Sequence, residues 1–276
     1  MTLATLTDVL QPALKQGYAV AGVVCLGWED MRAYVAAAEL ENVPVILQAG
    51  PGCRAHTPLP ILGAMFRHLA ERARVPVVAH LDHGYTAEEC KEAIECGFTS
   101  VMFDGSRLPL NENITQTAAI AALAHAAGVS CEGEIGFVGY DQGENSAGTA
   151  PEEAEIFARE TGVDAMAISV GNVHLQQQQS GGLDEARIAE IERVTTVPLV
   201  IHGGSGVPAM QRAALARNTA ICKFNIGTEL RMAFGAALRD AVASDLERFD
   251  RNAILKDMHD PIVAATRPVL RNLFRG

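Results

Sequence analysis

Polar and apolar positions along this chain alternate between two periods. Short apolar runs recur at YAVAGVV (18–24), VPVILQA (43–49), VPVVAHL (75–81), TSVMFDG (99–105), VSCEGEI (129–135), DAMAISV (164–170), VPLVIHG (197–203) and AICKFNI (220–226). Runs this short and continuous read as strands buried on both faces of a parallel sheet. The segments between them have helical spacing. TAEECKEAIECG opens on Thr86 and Glu89 as a capping box, places Cys90, Ala93 and Ile94 on one face, and stops at Gly97. PEEAEIFARETG has Pro151 in its first turn, acidic residues beside it and Gly162 as its stop. No linker or composition shift breaks the series, which predicts one domain over residues 1–276. An open dinucleotide-binding sheet would more often show a GxGxxG turn after its first strand, and CLGWED is not one. The expected fold is therefore an α/β, (β/α)8 TIM barrel. A C-terminal helical extension over residues 251–276 is expected to close the barrel bottom or pair subunits.

Composition narrows the function. The chain has 276 residues, 49% hydrophobic and 20% charged, enough for one barrel with a large core. A formal net charge of −11 argues against a broad nucleic-acid or anionic-membrane surface, which needs a basic stripe. No run approaches the ~18 apolar residues of a membrane span. The opening MTLATLTDVLQPALKQG lacks the basic and apolar regions of a signal peptide. Six cysteines show neither CxxC spacing nor the density of a disulfide scaffold. A reduced, cytoplasmic protein is expected, with a small molecule as its partner.

Chemistry collects at the strand ends. Asp82 and His83 end the third strand, Asp104 the fourth and Glu134 the fifth; His174 follows the sixth, His202 ends the seventh and Asn225 the eighth. In a parallel barrel these ends converge on one face, where active sites of this fold lie. His83, His174 and His202 read as a three-imidazole site with one open position, the pattern of a catalytic zinc. His68, His125 and His259 lie in helical segments and His56 in a loop, and are read as structural. His80 shares the inward side with Asp82 and reads as a packing residue behind the site. VIHGGSGVP has Gly203, Gly204 and Gly206 around Ser205 before a helix, and FNIGTEL places Asn225 and Thr228 before the next. Backbone amides of such paired turns, in the loops after strands seven and eight, suit a phosphate.

The motifs HLDHG, SVMFDGSRLPLNENI, EGEIG, ISVGNVH, PLVIHGGSG and KFNIGTEL, in this order, resemble the class II, metal-dependent ketose-bisphosphate aldolases over nearly the whole chain. The resemblance implies that His83, His174 and His202 bind catalytic Zn2+, or another divalent transition metal. It implies that Asp82 is the acid/base on the hydroxyl next to the broken C–C bond. Asp104 and Glu134 match positions that hold a second metal in some members. Gly203, Gly204, Ser205 and the segment Asn225, Ile226, Gly227, Thr228 match the site for the phosphate of dihydroxyacetone phosphate. The expected partner is a ketose phosphate, and the expected assembly a homodimer or larger homo-oligomer.

The chain also departs from that pattern. Leu175 follows the second histidine where the family writes a glycine whose backbone meets phosphate or a monovalent cation. Gln142 stands where a loop glutamate exchanges protons with the ketone fragment, with Asp141 and Glu144 nearby. Val24 and Gly50 replace polar residues that would hold substrate. Altered specificity relative to fructose 1,6-bisphosphate is expected. Of the three lysines, Lys223 faces the barrel interior beside Asn225 and is the rival, Schiff-base candidate. A metal-dependent barrel hydrolase and a non-catalytic sugar-phosphate binding protein are the alternatives. The first would have no use for paired phosphate loops, and the second no need of Asp82.

Overall fold

The computed structural model describes residues 2–179 and 182–274. Its strands are β1 (Leu3–Ala4), β2 (Val20–Val24), β3 (Val45–Ala49), β4 (Val77–Gly84), β5 (Ser100–Phe103), β6 (Ser130–Ile135), β7 (Ala165–Ile168), β8 (Leu199–Ile201) and β9 (Ile221–Ile226). They pair in the order β1-β4-β3-β2-β9-β8-β7-β6-β5, β5 returns to β4, and every pairing is parallel. β2 to β9 thus close an eight-stranded barrel built from the eight expected runs, and β1 adds a short unexpected strand at the start of β4.

The helices are α1 (Leu6–Gln16), α2 (Trp28–Glu41), α3 (Pro51–His56), α4 (Leu59–Arg72), α5 (Ala87–Glu95), α6 (Leu110–Ala126), α7 (Pro151–Thr161), α8 (Glu185–Glu192), α9 (Ala209–Asn218), α10 (Thr228–Ser244), α11 (Arg251–Lys256) and α12 (His259–Phe274). α7 starts at Pro151 and ends on Gly162 in the left-handed region, as its sequence requires. At α5, Thr86 caps Glu89 N–H, but the Glu89 carboxylate accepts from Tyr85 N–H and Arg54 rather than closing a box. His56 ends α3 rather than lying in a loop. Among the described residues no helix is long and apolar enough to cross a membrane.

The barrel bottom is closed by α1, not by the C-terminal helices. Leu6, Val9, Leu10 and Ala13 bury one face of α1 against Val20, Ile46, Val78 and Val200, which point inward from the strand starts. α12 lies along α2 and against β2, on the outside of the barrel. A strand rises two residues between side chains on the same face, so the inner face can be followed upward. It runs from Val78 to His80 and Asp82, from Ile46 to Gln48, from Val200 to His202, from Lys223 to Asn225 and from Glu132 to Glu134. An apolar floor gives way to a buried polar layer, and that layer supports the site.

Candidate active site

The site is built on a bulge. Leu81 pairs with Val101 and Gly84 with Phe103, so Asp82 and His83 together oppose only Met102. Strand alternation would point one of two consecutive residues outward. The bulge, with His83 at φ 53°, turns both toward the barrel mouth. Arg54, on α3, holds this geometry. Its guanidinium donates to the carbonyls of Asp82 (2.6 Å), His83 (2.9 Å) and Ala49 (2.8 Å), and to Glu89 (3.2 Å). Nothing in the sequence pattern had marked Arg54.

Asp82 is 5% exposed, and its Oδ1 accepts from the side-chain amides of Gln48 (2.8 Å) and Asn225 (3.2 Å). Gly22 makes room for both amides, since a Cβ there would collide with Gln48 and stand 2.9 Å from Asn225 Oδ1. Burial alone would raise the Asp82 pKa, but the charges of His83 and His202 override it and hold the carboxyl below its usual range. It is ionised at neutral pH.

His83, His174 and His202 each bring a ring nitrogen within 4.8 Å of the others, as the sequence led one to expect. His83 Nδ1 lies 2.7 Å from Asp104 Oδ2 and 3.9 Å from Glu134 Oε2. His202 is held from beneath, with Nε2 3.2 Å from Glu132 Oε1, so that Nδ1 faces upward 3.2 Å from Glu134 Oε2. His174 is fixed in its loop by Gly139 O, which accepts its N–H at 2.8 Å, and its ring stacks on Tyr140 at 5.0 Å. His202 Nδ1 and Glu134 Oε2 are buried and lie 3.2 Å apart, and among the described residues neither makes a well-formed hydrogen bond. A proton on His202 or a metal cation beside the pair balances the buried carboxylate. The donor set fits a divalent metal: three imidazoles, two of them oriented by carboxylates behind. His83, Asp104 and Glu134 form a second group of the same compactness.

Electrostatics divide the histidines. Burial pulls His174 down to about 3, with His83 and His202 adding to the effect. Burial would lower His202 too, but the Glu134 and Glu132 carboxylates raise it to about 10. Burial would raise Asp104, yet its bond to His83 keeps it well below the carboxylate range. The bound metal would replace the proton that the carboxylates draw onto His202.

Lys223 lies under this layer, fully buried, with Nζ 2.6 Å from Glu132 Oε2 and 3.3 Å from His80 Nε2. His80 Nδ1 in turn meets Ser100 Oγ at 2.8 Å. Neither lines the cavity, which answers the Schiff-base alternative: Lys223 is the counter-charge that lets Glu132 orient His202. Lys223→Met is expected to cost about 3–5 kcal/mol by leaving Glu132 buried and unpaired. Urea unfolding of the variant measures this, and borohydride reduction of the parent with dihydroxyacetone phosphate should leave Lys223 unmodified.

The cavity above has a volume of 250 Å³. Of the residues expected at a phosphate, Gly203, Ser205, Asn225, Gly227 and Thr228 line it. Gly204 and Ile226 do not. Their positions are buried in loop and strand packing, and the Asn225 amide is committed to Asp82. Ser205 Oγ accepts from Gly227 N–H (3.2 Å) and Glu229 N–H (3.3 Å), tying the two loops together. Gly203 sits at φ 65°, and a Cβ there would collide with Val173 O. Leu175 retains a left-handed backbone at φ 63° despite its side chain, and lines the cavity with Val24 and Gly50. Gln142 is exposed, and Glu144 pairs with Arg107 at 2.7 Å.

Comparison with known proteins agrees with this architecture. The family model for fructose-bisphosphate aldolase class-II matches residues 4–274. The chain is 37% identical over 272 residues to a fructose-bisphosphate aldolase of Geobacillus stearothermophilus, covering 96% of this chain and 94% of that one. It is also 37% identical over 267 residues to a 6-phospho-5-dehydro-2-deoxy-D-gluconate aldolase of Shouchella clausii, covering 93% and 89%. The crystal structure of the YdjI aldolase from Escherichia coli K12 superposes with a TM-score of 0.84 at 26% identity, over 98% of this chain and 97% of that one. A barrel with three imidazoles at its strand ends and a family match across nearly its full length is thus a lyase scaffold: the chain belongs to the class II fructose-bisphosphate aldolase family.

Proposed function

We propose that the protein is a zinc-dependent aldolase that cleaves or forms a C–C bond in a ketose phosphate, giving dihydroxyacetone phosphate and an aldehyde. The observation that carries this reading is the three-imidazole group beside an ionised Asp82. His83, His174 and His202 would hold the metal. When bound, it supplies Lewis-acid stabilisation of negative charge at the ketone oxygen. Asp104 and Glu132 orient the imidazoles, and Asp104 and Glu134 are the residues that would share a second ion with His83.

Asp82 moves the proton. Oδ1 is saturated by two amide donors, while Oδ2 stands on the side of Gly50 in the cavity wall. Oδ2 accepts the proton of the C4 hydroxyl as the C3–C4 bond breaks and its electron pair passes into an enediolate at C2 and C3, which solvent then protonates at C3; in condensation Oδ2 returns its proton to the aldehyde oxygen. Gln48 and Asn225 keep the carboxylate in the orientation that its role needs. The loops at 203–205 and 227–228 seat the phosphate. A monovalent cation, a homo-oligomer and a cytoplasmic location belong to the same reading.

Substrate choice is the part that sequence identity leaves open, because two relatives at the same 37% identity carry different substrate names. Val24, Gly50 and Leu175 line the cavity without offering a side-chain hydrogen bond, and Gln142 is no base. Each lost bond to a polar substrate forfeits about 0.5–1.5 kcal/mol, more where a charge was involved. Three losses therefore remove roughly one to three decades of specificity. Steady-state cleavage of fructose 1,6-bisphosphate, tagatose 1,6-bisphosphate and other ketose phosphates, with metal quantified in the same sample, tests this. The fructose substrate is expected below the ordinary enzyme range of roughly 10⁴–10⁸ M⁻¹s⁻¹ in kcat/KM. A value inside that range would end the claim of altered specificity, and no cleavage of any ketose phosphate would end the aldolase reading.

A further inference from the structure

Among the described residues that line the active-site cavity, Arg231 is the one with a permanent positive charge. It lies in the first turn of α10, beside Ser205, Gly227 and Thr228. Its Nη2 stands 3.0 Å from where a Cβ on Gly227 would be, so the guanidinium lies directly over the backbone of the second phosphate loop. Its Nε is buried and has no hydrogen-bond partner among the described residues. The nearby acidic residue Glu229 is committed to Arg212 at 2.5 Å. A guanidinium with a buried, unsatisfied N–H and no carboxylate paired with it among the described residues is one that an anion would complete.

The surroundings make that charge necessary. A phosphate entering this cavity meets the Asp82 carboxyl group on a protein of net charge −11, and the other donors of the two loops are uncharged amides and the Ser205 and Thr228 hydroxyls. One of those amides, Gly227 N–H, is already given to Ser205 Oγ.

We propose that Arg231 is the specificity residue for the phosphorylated fragment, its guanidinium pairing with the phosphate oxygens of a ligand seated on the loops at 203–205 and 227–228. This rests on the reading of the site as one that takes a ketose phosphate. Arg239, two turns further along α10, lines only the outer groove into which the cavity opens, so it contributes general positive potential without touching the phosphate.

The test measures binding to the zinc-loaded protein by calorimetry, with dihydroxyacetone phosphate, dihydroxyacetone and inorganic phosphate as probes. The parent, Arg231→Met, Arg231→Lys and Arg239→Met are compared. Arg231→Met is expected to weaken dihydroxyacetone phosphate and inorganic phosphate by about 30- to 300-fold, the scale of charge-assisted hydrogen bonds, and to leave dihydroxyacetone unchanged. Arg231→Lys should restore most of the loss, and Arg239→Met should stay within about threefold of the parent, as a screened surface charge does. Zinc content unchanged in every variant would show that the site is intact. Parent-like affinity for both phosphates in Arg231→Met overturns the proposal, as does an equal loss in Arg239→Met, which would reduce the effect to bulk electrostatics. If the parent itself binds dihydroxyacetone phosphate no better than dihydroxyacetone, the ketose-phosphate reading fails first, and that failure is visible without any variant.

Discussion

His202→Ala is expected to lose nearly all bound divalent metal and about 10³–10⁵ in turnover, the scale of several kcal/mol of electrostatic stabilisation. The imidazole is gripped from below by Glu132, itself fixed by Lys223 at 2.6 Å, and presents Nδ1 upward beside Glu134. Removing it deletes a ligand and leaves two buried carboxylates facing each other across a void, so the variant should also unfold at lower urea. Chelation of the parent separates the two effects. It should abolish turnover without unfolding, and added zinc should restore it. The same contacts set a pH dependence. Without a cation, His202 titrates at about 10 and is protonated at neutral pH, whereas His174, at about 3, is already neutral. Metal loading must therefore expel the His202 proton. Apparent affinity should rise with pH, by about tenfold per unit for each proton displaced, until the metal-free imidazole deprotonates unaided. Potentiometric titration during loading counts the protons. Full turnover in a demonstrably metal-free sample would remove the metal from the mechanism.

Asp82→Asn is expected to keep fold and metal and to lose on the order of 10²–10⁴ in turnover, the usual scale for a positioned acid/base. The amide is nearly isosteric, but it cannot take the C4 hydroxyl proton. Its amide oxygen can keep the Oδ1 position with both bonds from Gln48 and Asn225, which puts the NH2 where Oδ2 accepted the proton. Measuring metal content, urea midpoint and kcat on the same preparation separates these consequences. Parent-like kcat would show that Asp82 only orients its neighbours. Loss of metal together with kcat would place it with the ligand set instead.

The contrast between His83 and Arg54 shows what can be read from a sequence like this one. His83 was legible because it ends an apolar run, and an apolar run in a parallel sheet has only one place for titratable groups to gather: the carboxyl ends of the strands. The same reasoning placed His174, His202, Asp104 and Glu134, and the glycine-rich turns after strands seven and eight. Other features had no local signature. That α1 rather than the C-terminal helices closes the barrel bottom depends on which apolar face meets the inward residues of the strand starts, a matter of docking and not of period. Gln48 and Glu132 read as strand interior residues, and only barrel closure brings them to Asp82 and His202. Arg54 and Arg231 lie in helices beyond the motifs, where an arginine ordinarily marks a solvated face.

By itself, then, the order of runs and turns determined that eight parallel strands form, which ends carry chemistry and which residue types meet there, because burial on both faces leaves few other arrangements for such a pattern. The tertiary structure alone decided how those residues face one another. Asp82 and His83 are neighbours in a strand, and alternation forbids both from pointing inward. The bulge against Met102 and the positive φ of His83 turn both into the cavity, and the carbonyl bonds from Arg54 hold them there. A bulge is a property of two paired strands, and its clamp comes from a helix in a third segment, so neither exists until the chain has closed on itself.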